Sequence, residues 1–567
     1  MSIFVIFFCM RILRLIYIYS LLSLPLLSAG QTCYPKHEYR AVWLTTIENL
    51  DWPRTQVKSV SDIEVQKSEL VAILDSLKML NINCVMLQTR VRGDVIYPSS
   101  IEPFAKALTG TSGKSPGYDP LAFAIEECHK RSMQLHAWVV ALPLGSATYV
   151  REQGRMSLKK RKPKLCRYYK DNWYMEPGEP AVADYLCTIV KEIIDNYHVD
   201  GIHLDYIRYP DRPKGYPDGS LHKRYGKGLT LADWRRSNIT NIVERVYTTV
   251  KEAKPWVRVS CAPLGKHDDL TSYSSLGWNA RETVFQDAQE WMRLGIMDAL
   301  FPMLYFKGND FYPFVLDWSE NSHSRHIAPG MGTYRLLPEY GGWPVLELQR
   351  QLFTSRTAGA SGSVMFRTHH LLDSTCNFFD VYASLHRYKA LIPPMTWCSN
   401  TLPAAPEFIH GCYRGDTLSL RWSSVDSSTG HPAMRYNVYI SSDSIPDIND
   451  VSSLVSTMQA DTTFLWSASP YSNINCAVTA VDAYGTESVA AYWSNKGYSS
   501  VFKRRSFLLP EPVDWGMRVI LRDAVGAGIY NGPYSTTIGV SGIAEGVYTL
   551  EIVTRDGKVV DRIFFCK

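Results

Sequence analysis

Short runs of β-branched and apolar residues alternate with amphipathic helical segments from residue 38 to residue 391. The runs predict eight strands, at residues 39–46, 83–89, 134–141, 201–207, 258–262, 299–305, 326–331 and 362–367. Eight helices are predicted between and after the strands, at residues 61–80, 119–131, 180–197, 231–253, 282–294, 311–321, 344–357 and 371–388. Repeated strand–helix units imply a parallel sheet, and eight units predict an α/β fold closed into a (β/α)8 TIM-type barrel.

A barrel of this kind carries its functional residues at the carboxyl ends of the strands and in the loops that follow them. Three long insertions follow predicted strands 2, 3 and 4, at residues 90–116, 142–179 and 209–230. Long loops in compact domains are usually functional, so we expect all three insertions to line the working face of the barrel.

Two small all-β units are predicted after the barrel, and both are expected to be sandwich-like. Residues 403–497 contain short alternating strands and resemble a fibronectin type III module, with Trp422 and Tyr436 expected in its core. Residues 505–567 form a separate β domain that ends in a hairpin with an Asp-Gly turn. A sorting signal is the alternative interpretation of this last unit.

The first 30 residues have the order of a secretory signal. Arg11 and Arg14 precede an apolar run, and the small residues Ser28, Ala29 and Gly30 follow it. We therefore expect a periplasmic, secreted or cell-surface protein; an uncleaved signal, the alternative, is the only predicted means of membrane association. The net charge of +5 is too small to indicate a nucleic-acid partner.

The segment from residue 199 to residue 210, with the sequence Val-Asp-Gly-Ile-His-Leu-Asp-Tyr-Ile-Arg-Tyr-Pro, contains predicted strand 4 and the strongest chemical signal. Asp205 ends the strand and is expected to point into the barrel mouth, where a carboxylate can attack or stabilise an electron-poor carbon. Arg208 is expected to keep Asp205 ionised, because a nearby cation lowers a carboxyl pKa. Asp200 begins the strand and is interpreted as structural.

Several segments in this order resemble the glycosyl-hydrolase-like 10 family of bacterial envelope proteins. The matching segments are residues 40–46, 49–53, 88–99, 136–138, 176–178, 233–236 and 301–305, together with the Asp205 segment. The resemblance covers about residues 38–391. It implies hydrolysis of O-glycosidic bonds in a bacterial envelope polysaccharide, with the glycan strands of peptidoglycan as the leading substrate and carboxylates as the catalysts.

Glycosidases generally need a second acidic group unless the N-acetyl group of the substrate attacks. Predicted strands 5 and 6 end without a carboxylate, so the acid is expected elsewhere at the mouth. Asp94 after strand 2 is the first candidate as general acid, and Asp51 after strand 1 is the second. Asp94 is alternatively a loop-fixing partner of Arg90 or Arg92, and Asp51 is alternatively a turn cap before Pro53. Glu48 and Glu176 are further carboxylates on this face.

The predicted substrate-binding set combines aromatic rings for stacking on sugars with polar groups for their hydroxyls. Its members are Trp43, Arg90, Arg92, His136, Trp138, Glu176, Arg208, Tyr209 and Tyr305. Core packing is an open alternative for each aromatic residue and for His136. The cysteines and histidines show no zinc-ligand spacing and no strand is followed by a phosphate loop, so neither a metal nor a cofactor is predicted.

Residues 151–170, in the strand 3 insertion, contain nine Lys or Arg residues and one Glu. A basic rim would concentrate an acidic polymer such as a muramic-acid or uronic-acid glycan, although a solvated loop is also possible. Three hypotheses remain from the sequence. The first is an envelope glycosidase, the second is a glycan-binding protein without catalysis, and the third is a deacetylase-like metal enzyme, against which the missing ligand spacing argues.

Overall fold

A computed structural model describes residues 34–495, except for positions 212, 374, 429, 443–444 and 470–471. Beyond residue 495 it describes residues 506–508, 517–523, 526–534, 537–539 and 547–566. The predicted secretory signal at residues 1–30 lies outside the described residues. No helix within the described ranges is long and apolar enough to cross a membrane.

All eight predicted barrel strands are present and run parallel. Strands 1 to 8 are Tyr39–Leu44, Cys84–Arg90, Gln134–Val140, Gly201–Asp205, Arg258–Cys261, Ala299–Leu300, the split strand His326–Ile327 and Gly330–Gly332, and Gly362–Phe366. The first half of strand 7 pairs with strand 6 and the second half pairs with strand 8, which pairs with strand 1. Strand 7 is interrupted at Pro329, which has no N–H group for the ladder. The sheet is closed, which confirms the predicted barrel.

Helices cover the outer face of the barrel. The long ones are Val60–Met79, Pro120–Lys130, Ala181–Asn196, Leu231–Ala253, Tyr312–Glu320 and Val345–Thr357, close to their predicted bounds. The helices predicted at residues 282–294 and 371–388 are shorter than expected, at Ala288–Arg293 and Phe378–Leu385.

Local backbone conformation explains both shortened helices. Phe285 has a φ of 58°, and the side-chain amide of the adjacent Gln286 accepts a bond from the Leu264 N–H instead of following a helix surface. Cys376 and Asn377 both have positive φ, which ends any continuous helix before residue 378. The tertiary contacts of these loops therefore override their local helical pattern.

The barrel has two separate layers of buried side chains. One fills the space between the strands and the surrounding helices. The other fills the barrel interior and includes Trp43, Met86, Trp138, Phe301 and Val364. Because strand residues alternate between the two layers, the interior aromatic residues stand directly below the carboxyl ends of the strands.

The strand 3 insertion forms a small antiparallel sheet of its own, made of Pro143–Ser146, Cys166–Tyr169 and Asn172–Met175. Short helices connect these strands, including Ala147–Glu152 and Leu158–Arg161. The predicted basic segment at residues 151–170 is therefore held on a folded platform at the carboxyl-terminal face of the barrel.

Seven strands after the barrel form two antiparallel sheets. The three-stranded sheet contains Ile409–Arg414, Thr417–Trp422 and Thr463–Ser467, and the four-stranded sheet contains Arg435–Ser441, Leu454–Gln459, Asn475–Val481 and Ala491–Ser494. Trp422 and Tyr436 are buried with ring centroids 5.6 Å apart, which confirms their predicted core position. The assignment to the fibronectin type III class stays a prediction.

The last unit contains a four-stranded antiparallel sheet of Arg518–Asp523, Gly528–Pro533, Val547–Val553 and Val559–Cys566. Its core includes Val519, Leu521 and Leu550. The sheet agrees with the predicted β content of residues 505–567, whereas the function of this unit stays a prediction.

The first β module contacts the amino-terminal face of the barrel, opposite the mouth. The Met395 N–H donates to the Tyr484 carbonyl at 2.9 Å, and Lys36 forms an ion pair with Glu487. A cleft of about 620 Å³ lies along this boundary and is lined by both units, including Trp256 and His431. The mouth of the barrel therefore remains clear of the first module.

Candidate active site at the barrel mouth

Asp205 ends barrel strand 4, as predicted, and its side chain is almost completely buried at the mouth. Oδ2 accepts a hydrogen bond from the Trp138 indole N–H at 3.0 Å. Oδ1 accepts the backbone N–H of Tyr206 at 2.7 Å. Strands 3 and 4 pair in parallel here, with Val140 opposite Asp205, so the two strand ends fix this geometry. Both donors stabilise the ionised carboxylate.

Burial nevertheless raises the pKa of Asp205 to about 6, although Arg208 and the two hydrogen bonds act in the opposite direction. Arg208 lowers the pKa of Asp205 in the expected direction, but burial outweighs this effect. The Arg208 guanidinium also forms an ion pair with Asp211 and lies 4.7 Å from the centroid of the Tyr206 ring. Asp205 can gain and lose a proton near neutral pH, as an acid–base catalyst requires.

His203 lies two residues before Asp205 on the same face of strand 4, and it organises the layer below. Its Nε2 accepts the indole N–H of Trp43 at 3.0 Å, and its Nδ1 lies 3.0 Å from the Ser260 hydroxyl. Burial lowers the pKa of His203 well below its ordinary value, so the ring is neutral and can accept from Trp43. Sequence reasoning missed this residue, although the alternation along strand 4 places it directly beneath Asp205.

The four aromatic residues predicted to stack on sugars differ in accessibility. Trp43, Trp138 and Tyr209 are buried, whereas Tyr305 is half-buried and stacks on Phe366 at 5.1 Å. Trp43 and Trp138 use their indole N–H groups inside the barrel, and the Tyr209 hydroxyl accepts from Asn238. Core packing is thus favoured for these three.

Tyr206 is the exposed aromatic residue next to Asp205, and sequence reasoning did not single it out. It is 42% exposed and has a φ of 49°, so the chain turns sharply directly after the strand. The turn allows its backbone N–H to face Asp205 while its ring projects into the mouth. The sequence did contain a signal for this residue, because Tyr206 directly follows the aspartate that ends strand 4.

Arg90 and Asp94 are held inside the strand 2 loop. The guanidinium of Arg90 makes two 2.7 Å hydrogen bonds to Glu102, and both side chains are fully buried. Asp94 is also buried, and it accepts bonds from the Arg92 N–H and the Tyr149 hydroxyl. Burial raises the pKa of Asp94, and both of its oxygens are occupied by these loop contacts.

Asp51 joins the ends of strands 1 and 8. Its Oδ2 accepts from the N–H and hydroxyl of Thr45, at 2.9 and 2.8 Å. Its Oδ1 pairs with Arg367 and accepts the His369 N–H at 3.1 Å. This set of contacts favours a positioning role over the predicted catalytic role.

Glu176 and His136 lie away from the mouth surface. Glu176 is buried, pairs with Arg167 at 2.7 Å and accepts the Gly178 N–H at 3.1 Å, although burial still raises its pKa. His136 faces the barrel interior, but it lies opposite Gly201 near the start of strand 4, where any Cβ would meet its ring at 2.6 Å. Its depth favours the core alternative over contact with substrate hydroxyls.

Two carboxylates near the mouth are open to solvent. The Glu48 side chain is 69% exposed and lies 3.5 Å from Arg92, and the Asp211 side chain is 56% exposed beside Arg208. Glu48 and Arg92 line a cleft of about 220 Å³, together with Tyr149 and Lys106. Both carboxylates are therefore accessible from solvent, each beside an arginine partner.

The structure also groups three side chains with metal-ligand chemistry after strand 8, namely His369, His370 and Asp373. Sequence reasoning predicted no metal ligands and did not notice this group. The sequence signal for this group was two adjacent histidines followed by an aspartate three residues after the second, a spacing that places them on one helical turn.

The closed barrel and the titratable carboxyl at the end of its fourth strand define the class of protein: a (β/α)8 barrel with a candidate acid–base site at its carboxyl-terminal face. The chain matches the family described as glycosyl hydrolase-like 10 over residues 38–334, and it belongs to that family.

Its relatives include glycosyl hydrolase YngK of Bacillus subtilis (strain 168), which is 30% identical over 406 residues covering 68% of this chain and 78% of YngK. Glycosyl hydrolase DigH of Escherichia coli (strain K12) is 30% identical over 367 residues covering 59% of this chain and 83% of DigH. Among solved structures, α-L-fucosidase isoenzyme 2 from Paenibacillus thiaminolyticus is 17% identical, with a TM-score of 0.42, and the match covers 65% of this chain and 51% of that chain.

Proposed function

We propose that the protein is an exported glycoside hydrolase that cleaves O-glycosidic bonds in a bacterial envelope glycan, with peptidoglycan glycan strands as the leading substrate. The observation that carries the proposal is the state of Asp205, a buried carboxyl with a pKa of about 6 at the end of strand 4. Membership in the glycosyl hydrolase-like 10 family supports the reaction class. The secretory pattern of residues 1–30 supports export.

Asp205 acts in this proposal as the acid–base residue rather than as the nucleophile or transition-state stabiliser expected from the sequence. In its protonated form it donates its proton to the oxygen of the scissile glycosidic bond as the bond breaks. The Trp138 indole and the Tyr206 N–H then stabilise the carboxylate that remains. An incoming water returns a proton to Asp205, which restores the starting state.

The second catalytic group that a glycosidase needs is supplied in this proposal by an exposed acid at the mouth or by the substrate itself. Glu48 and Asp211 are the candidates, because a sugar can approach them directly, whereas Asp94 and Asp51 are enclosed by loop contacts. A substrate N-acetyl group could replace either carboxylate as the nucleophile. Single Glu48→Gln and Asp211→Asn variants separate these three possibilities. Loss of activity in one variant identifies that acid as the second catalytic group beside Asp205.

The charge of the strand 3 insertion supports an acidic glycan as the substrate. Arg155, Lys160, Lys162 and Lys164 are exposed on this platform, and Lys159 lies 4.7 Å from the centroid of the Trp173 ring. Such a rim attracts the carboxylates of muramic acid, and also those of uronic-acid polysaccharides. Raising the ionic strength should therefore raise KM more than it lowers kcat.

A glycan-binding role without catalysis is the second candidate, and one observation favours it. Within the part of the chain that the structure describes, Arg208 is the only charged side chain that shifts the pKa of Asp205. No carboxylate therefore stands close beside Asp205 as in a tightly paired acid dyad. If the protein only binds, its glycan affinity should survive the Asp205→Asn substitution, and no bond should be cleaved.

The deciding experiment measures the release of reducing ends from peptide-free peptidoglycan glycan strands by the wild type and by Asp205→Asn. The matched control is Asp195→Asn, which removes an exposed carboxylate from the outer helix Ala181–Asn196. We expect release by the wild type and the control, and a fall of about 100-fold or more in the Asp205 variant. Failure of the wild type on these strands and on uronic-acid polysaccharides would refute the hydrolase proposal.

A further inference from the structure

The segment directly after strand 8 lies at the same carboxyl-terminal face as the candidate active site. It contains the short helix Thr368–Leu372. The Thr368 hydroxyl donates to the Trp43 carbonyl at 2.8 Å, and the His369 N–H donates to Asp51 at 3.1 Å. These bonds to strand 1 and its loop hold the backbone of the segment in place.

Three potential ligand atoms converge at this helix. His369 Nε2 and His370 Nδ1 each lie 3.7 Å from Asp373 Oδ2, and all three atoms are within 4.8 Å of one another. Zinc bonds of about 2.0–2.1 Å in a tetrahedral site place neighbouring ligand atoms about 3.4 Å apart. Small side-chain rotations therefore bring these atoms to metal-binding distances.

The burial of His370 is an independent sign of a missing ligand. The residue is only 8% exposed, and its Nδ1 has no hydrogen-bond partner among the described residues. A buried imidazole nitrogen without a partner is costly, and native structures usually satisfy such atoms. Here the nitrogen faces Asp373, on the side of the ring where a cation would be shared with that carboxylate.

We propose that His369, His370 and Asp373 bind one divalent transition-metal ion, with Zn²⁺ as the reference ion. Two imidazoles and one carboxylate are ligands that zinc accepts. A site with these ligands discriminates less well against nickel or copper than a site with thiolate ligands does. Three protein ligands leave a fourth position for water or for an oxygen atom of another ligand. The bound ion would cross-link the turn after strand 8, independently of the proposed hydrolase activity.

Arg54 competes with the metal for His369. Its guanidinium lies 3.4 Å from His369 Nδ1, and a guanidinium can only donate a hydrogen bond, so this contact requires an unprotonated Nδ1. A metal bound to Nε2 requires the opposite arrangement, with the proton on Nδ1. Metal binding and the Arg54 contact therefore exclude each other. A glutamine at position 54 could accept the Nδ1 proton and support the metal-bound ring.

The test is titration of the untagged, metal-free full chain with Zn²⁺, followed by equilibrium dialysis and calorimetry. We expect one ion per wild-type chain and a rise in the melting temperature on zinc addition. His370→Ala and Asp373→Asn should each weaken binding by about tenfold or more and abolish the rise in melting temperature. Arg54→Gln should tighten binding, and His323→Ala, which removes an exposed histidine elsewhere, should change nothing.

Melting curves in the absence of metal show whether each variant is folded, so a folding defect is not mistaken for lost coordination. A wild-type chain that takes up no stoichiometric zinc would overturn the proposal. Equal binding by the wild type and by a folded His370→Ala variant would overturn it as well. Weaker binding by Arg54→Gln would contradict the competition that we infer at His369.

Discussion

Replacing Asp205 with asparagine should stabilise the barrel at neutral pH, because the native protein holds this carboxyl in a position that disfavours its charge. Burial raises its pKa from 3.8 to about 6. The folded state therefore binds the proton more tightly than the unfolded chain does. Stability is highest while Asp205 is protonated in both states, and it falls as the pH rises from about 4 to above 6.

The size of this loss follows from the two pKa values. A rise from 3.8 to about 6 corresponds to about 3 kcal/mol at neutral pH. Asparagine avoids the loss, but its amide cannot accept from both Trp138 and Tyr206, and one mismatched donor costs about 1–2 kcal/mol. We therefore expect Asp205→Asn to be about 1–2 kcal/mol more stable than the wild type at pH 7.5, and less stable than it at pH 4.

Urea unfolding of both proteins across this pH range, followed by tryptophan fluorescence of the barrel, measures the difference. The diagnostic result is the change in the stability difference between pH 4 and pH 7.5, which should be about 3 kcal/mol. The hydrogen-bond mismatch affects both pH values equally and cancels in this comparison. A stability difference that does not depend on pH would refute the raised pKa and, with it, the acid–base assignment of Asp205.

Three further results are expected from variants at the mouth. Trp138→Phe removes a hydrogen bond to the ionised form of Asp205, so the pKa in the alkaline limb of the kcat/KM profile should rise by about 1, measured as rate against pH. Glu102→Gln leaves Arg90 without its buried partner and should destabilise the protein by about 3–5 kcal/mol in urea unfolding. Tyr206→Ala should raise KM for glycan strands by about tenfold, whereas Tyr206→Phe should keep the stacking ring and a KM close to that of the wild type.

Matched controls separate these effects from general damage. Trp52→Phe removes another buried indole N–H, which donates to the Gln66 carbonyl rather than to Asp205, and it should leave the pH profile unchanged. Glu64→Gln removes an exposed partner of Lys67 and should change stability by less than about 1 kcal/mol. A shifted pH profile in Trp52→Phe, or equal losses in Glu64→Gln and Glu102→Gln, would contradict the assigned causes.

The barrel was predictable because its signals are local. Eight apolar runs, each followed by an amphipathic helix, are sufficient for a parallel closed sheet, and the position of Asp205 follows from the end of one such run. The alternation along strand 4 also contained the position of His203. The shortening of the helix predicted at residues 282–294 was not predictable, because Gln286 breaks the pattern to bridge two loops that are distant in the chain.

The partners of the site residues could not be predicted, because they depend on contacts between distant segments. Arg90 pairs with Glu102, and Asp94 with Tyr149, which lies 55 residues further along the chain. Sequence proximity instead suggested that Asp94 would pair with Arg90 or Arg92. The choice between a catalytic and a structural acid depends on these partners, and a single sequence does not reveal them.

Burial alone does not distinguish the proposed catalytic acid from the other buried acids of the barrel. Asp205, Asp94 and Glu176 are all buried with raised pKa values, but Glu176 is directly paired with a cation and Asp94 is enclosed by Tyr149. Among the residues that the structure describes, Asp205 accepts hydrogen bonds from N–H donors alone, and it lies on a strand end beside the exposed ring of Tyr206. A proton on Asp205 can therefore be transferred without breaking an ion pair or opening a loop, which is why we place the chemistry there.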